Sequence, residues 1–211
     1  MSSTVGVNET TTGKGEGSVD LKKRRFLIAA TSALGAAGAA ALAVPFITSM
    51  SPSERAKAAG APVEVNVSKI EPGALLRVEW RGKPVWVVHR TKEMLDALES
   101  LEPLLRDPNS DNKDQQPDYA RNRYRSIKPE YSILVGICTH LGCSPTYRPE
   151  VAPADLGPEW KGGYYCPCHG SRYDMAGRVY KNVPAPTNLK VPPHMYLSET
   201  VVLIGRDEEA V

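Results

Sequence analysis

Cys138-Thr139-His140-Leu141-Gly142-Cys143 and Cys166-Pro167-Cys168-His169-Gly170-Ser171 decide the reading of this chain. The two boxes hold all four cysteines of its 211 residues and two of its four histidines. Cysteines acting only as core filler would not cluster in this way. Six groups able to bind metal or form a cross-link are therefore available. A structural zinc takes four ligands, which Cys138-x-His140 and Cys166-x-x-His169 could supply. The two remaining cysteines would pair as a disulfide in an oxidising compartment. The same count fits a 2Fe–2S cluster with two thiolates on one iron and two imidazoles on the other. Ligand counting alone leaves both metals open.

Outward from the boxes, residues Val63 to Val211 read mainly as β structure. Val63–Val67 alternates apolar and polar residues. Leu75–Trp80 and Pro84–His89 flank Arg81-Gly82-Lys83 and predict a hairpin. Thr91 reads as an N-cap. Met94, Leu95, Leu98 and Leu101 follow at helical spacing, so Lys92–Leu101 is expected as a short helix packing on the core. Further strands are expected at Tyr131–Ile137, Tyr164–Cys166, Arg172–Tyr173, Arg178–Tyr180, Met195–Leu197 and Thr200–Gly205. Turn signals such as Asp174-Met175-Ala176-Gly177 separate them. Glu102–Ser126 is polar and rich in Pro, Asn and Asp, and reads as a long surface excursion. Eighteen prolines, many between these strands, argue against a helical domain.

The N-terminal part has a different character. Met1–Ser18 is rich in Ser, Thr, Gly and Val without apolar periodicity and reads as disordered. Residues 1–25 carry five basic and three acidic side chains, and the other residues hold 21 of each sign. The slight basic excess is thus local, and gives no reason to expect nucleic-acid binding. From Phe26 to Ser53 no residue is charged. A helix over Phe26–Thr48 would run ~35 Å, enough to cross a bilayer core. Its apolar run is longer than a typical signal core, and no convincing A-x-A cleavage site closes it, so a permanent anchor is favoured over a cleaved leader. Gly35, Gly38, Ala39 and Leu42 would let a neighbouring helix approach closely. Arg24-Arg25 resembles a twin-arginine export signal in which Phe26 falls one place early; the simpler reading is a positive-inside anchor. Both readings put residues 1–25 in the cytoplasm and the C-terminal domain outside it. Residues 49–62, chiefly Ser51–Pro62, link anchor to domain, with a helix-capable stretch at Glu54–Ala59.

Gly136 to Pro145 resembles the first cluster loop of the Rieske proteins of respiratory quinol–cytochrome c reductases, and Tyr165 to Asp174 resembles the second. The likeness extends to the anchor, to Arg81–Arg90, and to Val183-Pro184-Ala185-Pro186, although the family often has Gly where Val183 stands. It implies a mainly β protein: a Rieske-type antiparallel β-sandwich over residues 63–211, with a cluster-binding part at about 137–186, on a single transmembrane helix at 26–48. It implies one 2Fe–2S cluster ligated by Cys138, His140, Cys166 and His169, and a Cys143–Cys168 disulfide tying the loops together. Ser171 and Tyr173 match hydroxyls that hydrogen-bond sulfur and raise the potential. Leu141 and Pro184 match the docking surface. The extra cysteine pair points to the quinol-oxidising, exported branch.

The activity implied is that of the iron–sulfur subunit of a bacterial ubiquinol–cytochrome c reductase, single-pass in the inner membrane with its domain in the periplasm. It would take one electron from ubiquinol bound in a cytochrome b subunit, with a proton through His169 or His140, and pass the electron to a c-type cytochrome within a dimeric complex. Residues 49–62 would then be a hinge. The alternatives are the small subunit of an arsenite-oxidase-type enzyme, a plastoquinol-type variant, and a zinc-stabilised binding module. His89 and His194 lie outside the boxes and read as structural or surface histidines.

Overall fold

The computed structural model describes residues 20–53 and 60–207. The chain divides into two units, Met1–Pro52 and Ser53–Val211. The segments expected to be disordered (Met1–Ser18) and helix-capable (Glu54–Ala59) lie outside the described residues.

In the first unit, α1 (Leu21–Ser49) is a helix of 29 residues, ~44 Å long. It begins before the apolar run, because the Asp20 carboxylate caps it by accepting from Lys22 N and Lys23 N. Lys22–Arg25 thus form its first turn. Phe26, Leu27, Leu34, Leu42 and Phe46 are exposed, and the helix is long and apolar enough to cross a membrane. Pro45 lies inside it.

The second unit contains β1 (Val63–Asn66), β2 (Leu75–Trp80), β3 (Lys83–His89), α2 (Lys92–Leu101), β4 (Tyr131–Val135), β5 (Thr146–Arg148), β6 (Gly163–Tyr165), β7 (Arg172–Tyr173), β8 (His194–Tyr196) and β9 (Val201–Ile204). They form three antiparallel sheets, in the orders β1-β9-β8, β2-β3-β4 and β5-β6-β7. The β2–β3 hairpin pairs Trp80 with Lys83. That leaves Arg81-Gly82 as a two-residue turn, both at positive φ (52° and 69°), as such a turn requires.

Strand β3 shows why three layers form. Val85, Trp86, Val87 and Val88 are all buried, so this central strand has no solvent face. By the period-two rule its residues feed two cores. Val85 and Val87, with Ile133 and Val135 of β4, pack with Val65, Val202 and Ile204 of the β1-β9-β8 sheet. Trp86 and Val88, with Leu134, face the other way and pack with Cys138, Tyr164, Cys166, Tyr173 and Leu189. The first core makes the sandwich, and the second seats the β5-β6-β7 layer that carries the boxes. Helix α2, capped by Thr91 accepting from Met94 N, buries Leu98 and Leu101.

The structure corrects three expectations. β5 forms at Thr146–Arg148, where no strand was expected; it is short, lies at a sheet edge and is bounded by Pro145 and Pro149. Arg178–Tyr180 is not a strand, and contributes only the isolated bridges Leu105–Tyr180 and Tyr173–Val179. Glu102–Ser126 is not a surface excursion. Leu105, Ser110, Gln116, Ala120, Arg125 and Ser126 are buried within it.

Candidate metal centre

The first box leaves β4 and leads to β5, and the second joins β6 to β7. The two loops close alike. Cys138 N donates to Cys143 O at 2.7 Å and Gly142 N to Cys138 O at 3.0 Å. Cys166 N donates to Ser171 O at 2.8 Å and Gly170 N to Cys166 O at 2.9 Å. Gly142 (φ 86°) and Gly170 (φ 76°) take the left-handed conformation that lets each loop turn back, which a side chain would strain. The first cysteine of each box is buried and free. Cys143 and Cys168 form a disulfide with Cα atoms 6.7 Å apart, fixing the loops to each other.

His140 and His169 meet at the tip, ring centroids 4.8 Å apart and edge to face. His169 is exposed and His140 half-buried. The Nδ1 atom of His140 is buried with no hydrogen-bond partner among the described residues, which is costly for a polar atom unless something else binds it. Burial pushes the Cys166 thiol up, so a thiolate there needs a cation to stabilise it. Cys166 Sγ lies within 4.8 Å of both disulfide sulfurs, but those are consumed by their own bond and cannot serve as ligands. An orphaned imidazole nitrogen, a second imidazole and two buried thiols fit the iron–sulfur donor set.

Tyr173 and Ser171 flank this set. Tyr173 Oη lies 3.2 Å from Cys138 Sγ and 3.2 Å from Thr139 Oγ1, and accepts from Thr139 N at 3.2 Å. Thr139 Oγ1 spends its own hydrogen on Thr187 O, 2.7 Å away. The tyrosine proton is therefore available to the sulfur or to the threonine oxygen. Burial raises the Tyr173 pKa, so the phenol keeps that proton. Ser171 Oγ, fully buried, accepts from Ala185 N at 3.1 Å, which ties the Val183–Pro186 segment to the second box and leaves the serine hydrogen free to donate.

Leu141, 73% exposed, and Pro184 stand outside the core at this end. His89 and His194 are elsewhere. His89 Nδ1 pairs with Ile70 O at 2.7 Å, and His194 is buried against Tyr119 and Pro192 O. Sequence reasoning missed Thr139 and the Ala185 amide. Thr139 stood inside the box without a role, and a backbone donor leaves no signal in a sequence.

Two disulfide-linked loops presenting paired cysteines and histidines on a three-sheet β domain define a Rieske-type iron–sulfur protein. The Rieske [2Fe-2S] domain family matches residues 118–193. A second family, described as the ubiquinol–cytochrome c reductase Fe-S subunit TAT signal, matches residues 14–53. The chain is 66% identical over 189 residues to the ubiquinol-cytochrome c reductase iron-sulfur subunit of Allochromatium vinosum, covering 90% of this chain and 91% of that protein. It is 44% identical over 184 residues to the Blastochloris viridis counterpart, covering 87% and 92%. To the mitochondrial cytochrome b-c1 complex subunit Rieske of Rattus norvegicus it is 41% identical over 201 residues, covering 94% of this chain and 65% of that protein. The chain belongs to the family of ubiquinol–cytochrome c reductase iron–sulfur subunits, whose Rieske domain carries a 2Fe–2S cluster.

Proposed function

We propose that Cys138 and Cys166 bind one iron of the cluster and His140 and His169 the other, and that the domain shuttles single electrons from ubiquinol to a c-type cytochrome. The convergence of the two imidazoles at the exposed tip of a disulfide-locked pair of loops carries this reading. When bound, the cluster supplies a one-electron couple whose potential depends on its surroundings.

The chain's own groups divide the remaining work. The histidine face is the part of the site nearest solvent, so a quinol held in a cytochrome b partner reaches His169 first, and His169 takes its hydrogen bond and then its proton. Leu141 and Pro184 add apolar contact around that encounter. Tyr173 and Ser171 direct hydroxyl hydrogens inward, favouring the reduced state. The disulfide limits separation of the loops when the site is loaded.

The same reading places residues 1–25 in the cytoplasm, the 26–48 span in the inner membrane, a hinge at 49–62 and residues 63–211 in the periplasm. The subunit acts with cytochrome b and a c-type cytochrome in a dimeric complex, where it is a catalytic participant in quinol oxidation. Membranes carrying His169→Gln should lose quinol-driven cytochrome c reduction while the anchored subunit still accumulates. An unchanged rate would contradict the assignment.

A further inference from the structure

The turn that follows Tyr173 is gripped by buried arginines from distant parts of the chain. Arg125, fully buried, donates from Nη1 to Ala176 O at 3.2 Å and Gly177 O at 3.4 Å. Its Nη2 donates to Gln115 O at 3.2 Å and Gln116 Oε1 at 3.0 Å. Arg90, also buried, donates from Nη1 to Met175 O at 3.4 Å and Tyr124 O at 2.8 Å, and from Nη2 to Ser126 Oγ at 2.8 Å. Of the buried arginines around this turn, it is Arg178 that pairs with carboxylates, Asp174 and Glu102, among the described residues.

Burying the Arg125 guanidinium against carbonyl oxygens, with no carboxylate in an ion pair with it among the described residues, is an expensive way to fill space, since an apolar side chain of like volume serves stability as well or better. What a planar fork adds is fixed direction: Nη1 holds the two turn carbonyls while Nη2 is anchored on Gln115 O and Gln116 Oε1, so the turn is held at a set distance and angle from that segment. Those carbonyls belong to a hub. Gly177 N donates to Asp174 O and Gly177 O accepts from Leu189 N at 2.8 Å, while Asp174 N donates to Arg178 O. Tyr173 pairs with Val179 across the same turn. Tyr173 sits at one end of this hub with its hydroxyl 3.2 Å from Cys138 Sγ.

We infer that Arg125 is a positioning residue for the redox site: its fork, which ties the Ala176–Gly177 carbonyls to Gln115 and Gln116, sets the place from which Tyr173 offers its hydroxyl to Cys138. This rests on the reading of Cys138 as a cluster ligand and Tyr173 as its donor. The hydrogen bonds of Arg125 reach neither box, so as a positioning residue it acts through Tyr173, and its effect vanishes when that hydroxyl is gone.

The test is a redox titration of the cluster in membranes carrying the full chain, followed by electron paramagnetic resonance. Arg125→Lys keeps the charge but has one nitrogen, so it cannot hold the turn carbonyls and Gln115–Gln116 together. It should lower the midpoint potential by part of the shift given by Tyr173→Phe, and Arg125→Gln should do no more than Arg125→Lys. In the Tyr173→Phe background neither should add a further shift. A shift that persists undiminished in that background, or one seen only with Arg125→Gln, overturns the inference in favour of a direct charge effect. An unmoved potential in Arg125→Lys, with Tyr173→Phe shifted, overturns it while leaving the donor reading intact. If Tyr173→Phe itself moves nothing, the donor reading fails and the inference with it. Should Arg125→Lys not accumulate, Gln116→Met removes only the side-chain acceptor of Nη2; it should give a smaller shift with the same dependence on Tyr173, and no shift would overturn the inference.

Discussion

Tyr173 Oη and Cys138 Sγ stand 3.2 Å apart, joining the strand that leaves the second box to the first cysteine of the first. The contact is held from both sides. Thr139 N fills an acceptor site on the phenol oxygen, and burial keeps the phenol protonated. The hydrogen that remains can point at sulfur.

Tyr173→Phe removes that donor and keeps the ring. The reduced site carries the extra negative charge, so losing a donor destabilises it and lowers the potential. A hydrogen bond to a charged group contributes about 1.5–3 kcal/mol, and 59 mV corresponds to about 1.4 kcal/mol for one electron. The expected fall is therefore at most roughly 60–130 mV. Ser171→Ala should fall in the same direction, and it also frees Ala185 N, so its effect extends to the packing of Val183–Pro186. Voltammetry of the variants checks both; a potential unmoved by either would show that these hydroxyls do not serve the sulfurs.

The Cys143–Cys168 disulfide closes a loop with a sequence separation of 25. The chain-entropy relation gives about 3.5 kcal/mol for a loop of that length. Replacing both cysteines with Ser should lower the stability of the oxidised protein by roughly 2–4 kcal/mol in denaturant unfolding. Mass mapping of the unmodified chain should show this pair and no other.

His194 sets a pH dependence. Burial lowers its pKa, against smaller opposing effects from Pro192 O and Asp207. The folded state therefore binds a proton less readily than the unfolded chain, whose histidines titrate near 6.5. Stability from this group is complete above about pH 6.5 and falls as pH drops toward the lower folded pKa, by at most about 1.4 kcal/mol per pH unit. Unfolding measured between pH 7.5 and 5 should show a shallower decline for His194→Gln than for the native chain. Equal slopes would place the acid sensitivity elsewhere.

Gly136 lies two positions before the first box, and a Cβ there would overlap the indole of Trp86. Trp86 is 1% exposed and stacked on Tyr164 with centroids 5.0 Å apart, so the ring has nowhere to move. Gly136→Ala should cost about 1–3 kcal/mol of stability and reduce cluster occupancy, read from visible absorbance per chain. Native stability and occupancy in that variant would mean the indole can yield.

How much was legible depended on whether the deciding partner was local. The β2–β3 hairpin and α2 were readable because alternation, a Gly at the turn and a Thr cap all lie within a few residues of what they specify. The boxes were readable because ligand chemistry fixes residue type and spacing together. Glu102–Ser126 misled because polar composition signals exposure only on average. Arg125 and Gln116 are buried there, with the Gln116 amide and both terminal nitrogens of Arg125 held by carbonyls as far away as Gly177 and only Arg125 Nε without a partner among the described residues. β5 has three residues between prolines and owes its existence to β6, which lies beyond a long loop. The link from Ser171 to Ala185 N was invisible for the same reason.

The most direct test of the central claim is pulsed electron paramagnetic resonance on the reduced protein purified from membranes, with iron and sulfide counted per chain. The expected result is one 2Fe–2S group per chain, with the unpaired electron coupled to two histidine nitrogens that are lost singly in His140 and His169 variants. A colourless protein holding zinc, or a cluster showing no nitrogen coupling, would contradict it.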